Sequence, residues 1–142
     1  MKAYQKNYTG LWIDHRQAVI VSITDEGETI KRINSDIERK VRLSGGSRTS
    51  KTPYGPQQVS VDGKQEERIK RQLRQYYRAI LRRIQDANKI LIFGPGEAKT
   101  EFKKEMEKSG ELAAKKITVE TADKMTERQI AASVRQFFRG SQ

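Results

Sequence analysis

Tyr8 to Asp14 alternates into an apolar run, and Ala18 to Thr24 is again rich in Val and Ile. The polar stretch Asp14-His15-Arg16-Gln17 separates the two, and the pattern predicts a β-hairpin. Asp25-Glu26-Gly27-Glu28 marks a second turn, after which Thr29, Ile30, Ile33 and Ile37 suggest a third strand and a β-meander. From Asp36 to Gly63 the periodicity stops, with Gly45, Gly46, Pro53, Gly55 and Pro56 set among Ser, Thr and basic residues. A loop of that length inside a small domain is usually functional or disordered.

Periodicity returns as a helix from about Lys64 to Asp86. Ile69, Leu73, Tyr76, Ile80 and Ile84 recur at three- and four-residue steps and form one apolar stripe. Arg68, Arg71, Arg74, Arg78 and Arg82 fall on the opposite side at about 100° per residue. Glu66 and Glu67 sit at the start of this segment, where the helix dipole favours acids. Lys89 to Phe93 is a short apolar strand of the kind buried in a parallel sheet. Gly94-Pro95-Gly96 turns the chain, Glu97 to Ser109 predicts a second helix ended by Gly110, and Lys116 to Glu120 predicts a weaker fifth strand. Thr126 opens a last helix with Ile130, Val134, Phe137 and Phe138 inside, and Gln129 stands at capping-box spacing. The order β-β-β-α-β-α-β-α implies an α/β fold of ribonuclease H-like topology, a mixed five-stranded sheet with helices on its faces.

Composition sharpens this picture in two respects. The 142 residues suit one domain, 1–142, carrying a flexible basic loop at about 36–63. The net charge of +11 is also uneven: residues 38–89 hold 14 of the 29 Lys and Arg but 5 of the 18 Asp and Glu. The rest of the chain is close to neutral, so the basicity reads as local and its partner as a polyanion. No cysteine is present, which removes disulfides, thiolate metal sites and cysteine nucleophiles. Met1 to Asn7 is polar and too short for a signal peptide or membrane span, giving the expectation of a cytoplasmic protein that makes no membrane contact.

Two segments carry the candidate nucleic-acid chemistry. In the loop, Arg39, Lys40, Arg42, Arg48 and Lys51 surround Gly45, Gly46 and Ser47, where glycines admit close backbone approach to phosphate and basic side chains replace counterions. The alternative there is a solvated loop. On the helix, Arg71, Arg74, Arg78 and Arg82 present planar forks suited to phosphate oxygens, against the alternative of an ordinary wet helix face.

Other chemistries find less support. Gly94-Pro95-Gly96-Glu97 lacks Walker or dinucleotide spacing and reads as a structural turn. His15, the single histidine, reads as structural or incidental. Asp14 ends the first strand, but Lys89 to Phe93 offers no acid, which disfavours a two-metal nuclease. Trp12 reads as a core residue, leaving Tyr54 as the better stacking aromatic.

The hairpin Gly10-Leu11-Trp12-Ile13-Asp14 through Ala18-Val19-Ile20-Val21, the basic loop with Gly45-Gly46, the Tyr76-Tyr77 helix and Ile90-Leu91-Ile92-Phe93-Gly94-Pro95-Gly96-Glu97-Ala98-Lys99 form an ordered set. Together they resemble the central domain of archaeal and eukaryotic class-1 release factors, the rescue factor pelota, and short bacterial translational machinery proteins. The resemblance implies a loop reaching the peptidyl-transferase centre. In release factors that loop ends in Gly-Gly-Gln; here Ser47 follows Gly45-Gly46, so the side-chain amide is missing. The expectation is a ribosome-associated protein that binds rRNA or tRNA by occupancy, without DNA specificity, cofactor, metal or assigned catalytic residue. Two alternatives stand beside it: peptidyl-tRNA hydrolysis through a non-standard tip at Ser47 or Gln57, and a basic adaptor for an acidic protein.

Overall fold

The structure, a computed structural model, describes residues 6–37, 62–110 and 115–139. Three strands come first: β1 (Asn7–Ile13), β2 (Gln17–Thr24) and β3 (Gly27–Asn34). They are followed by α1 (Asp62–Arg83), β4 (Lys89–Gly94), α2 (Ala98–Ser109), β5 (Lys116–Thr121) and α3 (Glu127–Arg139). The sheet order is β3-β2-β1-β4-β5. The first three strands are antiparallel, whereas β4 runs parallel to both β1 and β5. This is the predicted mixed sheet of ribonuclease H-like topology.

Strand alternation divides the core in two. Leu11, Ile13, Ile90 and Ile92 point to the face covered by α1 and α2, where they meet Tyr76, Ile80, Phe102 and Met106. Trp12, Leu91 and Phe93 point the other way and meet Ile130, Val134 and Phe138 of α3. Because β4 lies between two parallel neighbours with helices on both faces, it requires an apolar residue at nearly every position, as its sequence supplies. Trp12 is buried, as expected, and its indole nitrogen donates to the Asp123 carbonyl at 3.1 Å.

Local chemistry sets the element ends. The third strand stops at Asn34 and does not reach Ile37, because Asp36 adopts φ 58° and Asn34 Oδ1 accepts from its amide. Helix α1 ends at Arg83, three residues short of the expected Asp86. Its described start at Asp62 places Glu66 and Glu67 beyond the first turn, so the dipole argument for these acids lapses. At Thr126 the capping box forms reciprocally: Gln129 N donates to Thr126 Oγ1 at 3.1 Å, and Thr126 N donates to Gln129 Oε1 at 2.9 Å. The Gly94 turn is structural, since at φ 150° a β-carbon there would overlap the Ile13 carbonyl oxygen.

Candidate nucleic-acid interface

Helix α1 carries eight basic side chains and three acidic ones. Its apolar side is fixed by two adjacent tyrosines, 3% and 4% exposed, that reach different neighbours. Tyr76 donates to the Asp14 carbonyl at the end of β1, at 2.8 Å. Tyr77 donates to Glu101 Oε1 on α2 at 2.7 Å and lies edge-on to Phe102, with centroids 5.9 Å apart. Adjacent helix residues point about 100° apart, so this pair occupies the angle between the sheet and α2. Burial, followed by the Asp14 charge, raises the Tyr76 pKa well above the phenol range. Burial, followed by the hydrogen bond to Glu101, does the same for Tyr77. Both therefore remain neutral donors and set the rotation of α1 about its axis.

That rotation turns the arginines outward. Arg71, Arg74, Arg78 and Arg82 are all exposed, as is Arg68. From Arg71 to Arg82 the stripe runs about 16 Å. Arg78 differs from the others because its Nε lies 3.6 Å from Glu105 Oε2 on α2. The Glu105 side chain is only 14% exposed, and it also faces Lys108 at 3.9 Å. Arg78 is therefore partly neutralised by a long-range acid that helical spacing does not reveal. Arg71, Arg74 and Arg82 form no ion pair with another described residue. The predicted loop residues Arg39, Lys40, Arg42, Gly45, Gly46, Ser47, Arg48 and Lys51 lie outside the described residues, as do Tyr54 and Gln57.

His15 has a structural contact: its Nε2 is 3.0 Å from Glu101 Oε1, the oxygen that also accepts from Tyr77. Asp14 Oδ1 accepts from the amides of Arg16 and Gln17, tying the hairpin turn to its own backbone. Among the described residues no group of three or more His, Asp or Glu side chains could hold a metal ion, and no helix is long and apolar enough to cross a membrane. Sequence periodicity located the arginine stripe but not Glu101, Glu105 or the role of Tyr77. The only local signal for the last was a second tyrosine beside one already on the apolar stripe.

No protein-family model matches the chain, and no curated protein matches it. Among solved structures, the fold is similar to that of the Thermoplasma acidophilum Pelota protein, with a TM-score of 0.52 and 19% identity, covering 98% of this chain and 34% of that one. An archaeal translation termination factor aligns with a TM-score of 0.45 and 11% identity, over 94% of this chain and 39% of that one. This chain thus spans about a third of the Pelota chain's length, and at such identity the likeness is one of fold.

Proposed function

We propose that this protein acts in translation as a ribosome-associated RNA-binding protein, contacting rRNA or tRNA through the outer face of α1 and the basic segment 39–51. The observation that carries the reading is the arginine stripe, held outward by Tyr76 and Tyr77 and left without a described acid at Arg71, Arg74 and Arg82. Guanidinium groups at three- and four-residue steps suit a run of phosphates, while a helix in A-form RNA meets a major groove too narrow to read. Contact should therefore be electrostatic and indifferent to base sequence. The fold likeness to Pelota supports the translational setting.

The reading assigns no bond-breaking step. Ser47 lacks the reach of a glutamine amide.

Co-sedimentation with ribosomes and isolated subunits, repeated over a salt series, tests the proposal. Binding whose log affinity falls steeply and linearly with log salt is the expected result. Absence of the protein from every ribosomal fraction at low salt, together with no affinity for free RNA, overturns it. Tighter binding to an acidic polypeptide than to RNA favours the adaptor alternative.

A further inference from the structure

The sequence count places most of the net charge between residues 38 and 89, but the fold assembles a second basic surface from distant segments. Tyr8 and Ile23 are cross-strand partners on the α3 face of the sheet, the face opposite the arginine helix. Tyr8 packs against Phe138 with ring centroids 5.2 Å apart. The ammonium groups of Lys89 and Lys6 stand 4.9 and 5.6 Å from the Tyr8 centroid. Arg135 and Arg139 of α3 close a cavity of about 230 Å³ whose other walls are Lys6, Tyr8, Ile23 and Phe138. Lys116 stands next to Lys89 in the parallel register, extending the positive edge toward β5.

Five cations drawn from residues 6, 89, 116, 135 and 139 thus meet at one end of one sheet face. Arg135 is held by Glu28, Nε to Oε1 at 2.8 Å. Lys6 and Arg139 have no ion-pair partner among the described residues. Two ammonium groups near one ring would repel each other in water, and the negative face of the tyrosine partly offsets that repulsion. The result is a positively charged site whose chemistry suits an anion with several oxygens. Its cavity is smaller than the usual space for a drug-sized ligand, which suits a phosphodiester unit better than a stack of bases.

We propose that this patch, centred on Lys6, Tyr8, Lys89 and Arg139, binds the sugar-phosphate backbone of a second RNA segment, so that the protein clamps two strands on opposite faces of its sheet. The ligand class rests on the RNA-binding reading given above, while the residues are independent of it. The two surfaces are separated by the sheet and its helix layers, on the order of 20 Å, so one strand cannot follow both without wrapping around the molecule.

The test is the stoichiometry of an oligouridylate of about 12 nucleotides. It is measured by native mass spectrometry and calorimetry on the full chain, with thermal melts confirming that each variant is folded. The wild type should bind two strands, and two differently labelled strands should show energy transfer within one complex. Lys6→Gln with Arg139→Gln should leave one strand and abolish the transfer. Arg71→Gln with Arg74→Gln and Arg82→Gln should also leave one strand, and the combined variant none. Salt slopes support the assignment if the lysine-arginine pair removes about 1.4 from the slope of the second site. Two strands retained by Lys6→Gln/Arg139→Gln overturn the patch. A single strand on the wild type, lost on neutralising α1, overturns the patch while leaving the α1 reading intact. No strand on the wild type overturns both. A polyglutamate peptide that displaces RNA from the α1 variant at lower concentration than competing RNA overturns the ligand class in favour of an acidic protein.

Discussion

Glu101 shows how one side chain can join three elements. Its Oε1 accepts from Tyr77 on α1 and faces His15 of the β1–β2 turn, while its own backbone belongs to α2. Tyr77→Phe removes the donor but keeps the ring against Phe102, so a loss of about 1 kcal/mol in chemical denaturation is expected. Both buried phenols also make stability sensitive to alkali. In the unfolded chain they ionise near pH 10, as tyrosines ordinarily do, whereas in the fold they remain protonated above that pH. Their stabilisation is complete below about pH 10 and is lost as pH rises, with a slope of up to about 1.4 kcal/mol per pH unit for each tyrosine. Denaturation followed from pH 8 to 11 should show this decline, and Tyr76→Phe/Tyr77→Phe should flatten it. A parallel decline in both proteins would assign the alkaline sensitivity elsewhere. A third residue is decisive for lack of a side chain: a β-carbon at Gly10 would overlap Val134 Cγ2. Gly10→Ala should push α3 off β1 and cost about 1–3 kcal/mol, an overpacking penalty measurable by urea titration.

At the scale of elements, α1 has two independent faces. The apolar one packs through Tyr76, Tyr77 and Ile80, all buried, so the exposed arginines can change without dismantling the fold. The fourfold variant Arg71→Gln/Arg74→Gln/Arg78→Gln/Arg82→Gln should melt cooperatively near the wild-type temperature. It should also lose the RNA strand bound on α1, while each single replacement should make the log-affinity against log-salt slope of that site shallower by up to about 0.7. The four contributions should be unequal. Glu105 already offsets Arg78, and exposed pairs of this kind are worth about 0–1 kcal/mol, so Arg78→Gln should change the slope less than Arg74→Gln. Equal single-variant slopes would show that Glu105 releases Arg78 when RNA arrives. Helix α3 is tied differently, by Arg32 to Glu127 at 2.5 Å and Arg135 to Glu28 at 2.8 Å across the outer strand β3. Arg32 and Glu28 flank the exposed Ile30 on the edge strand β3, where charged side chains discourage pairing with another chain.

For the molecule as a whole, binding and chemistry separate in one assay: purified protein added to ribosomes carrying peptidyl-tRNA should co-sediment yet release little peptide above background. Ser47→Gln should raise release modestly if the loop shares release-factor geometry, and efficient release by the natural sequence, abolished by Ser47→Ala or Gln57→Ala, would replace occupancy with catalysis. Strand and helix identity, element order, sheet class and the arginine stripe were legible in the chain because they follow from periods of two and 3.6, which are local properties. The Thr126-Gln129 cap was legible for the same reason, its donors and acceptors lying three residues apart. Hidden in the sequence were the contacts whose partners are brought together only by chain crossing. Tyr77 with Glu101 and Arg78 with Glu105 are separated by 24 and 27 positions. The cations around Tyr8 come from both ends of the chain and from the start of β4. Counting charge along the chain therefore found one basic region, whereas the three-layer packing produced two, on opposite faces, because a sheet sorts alternate residues by side regardless of their distance in sequence.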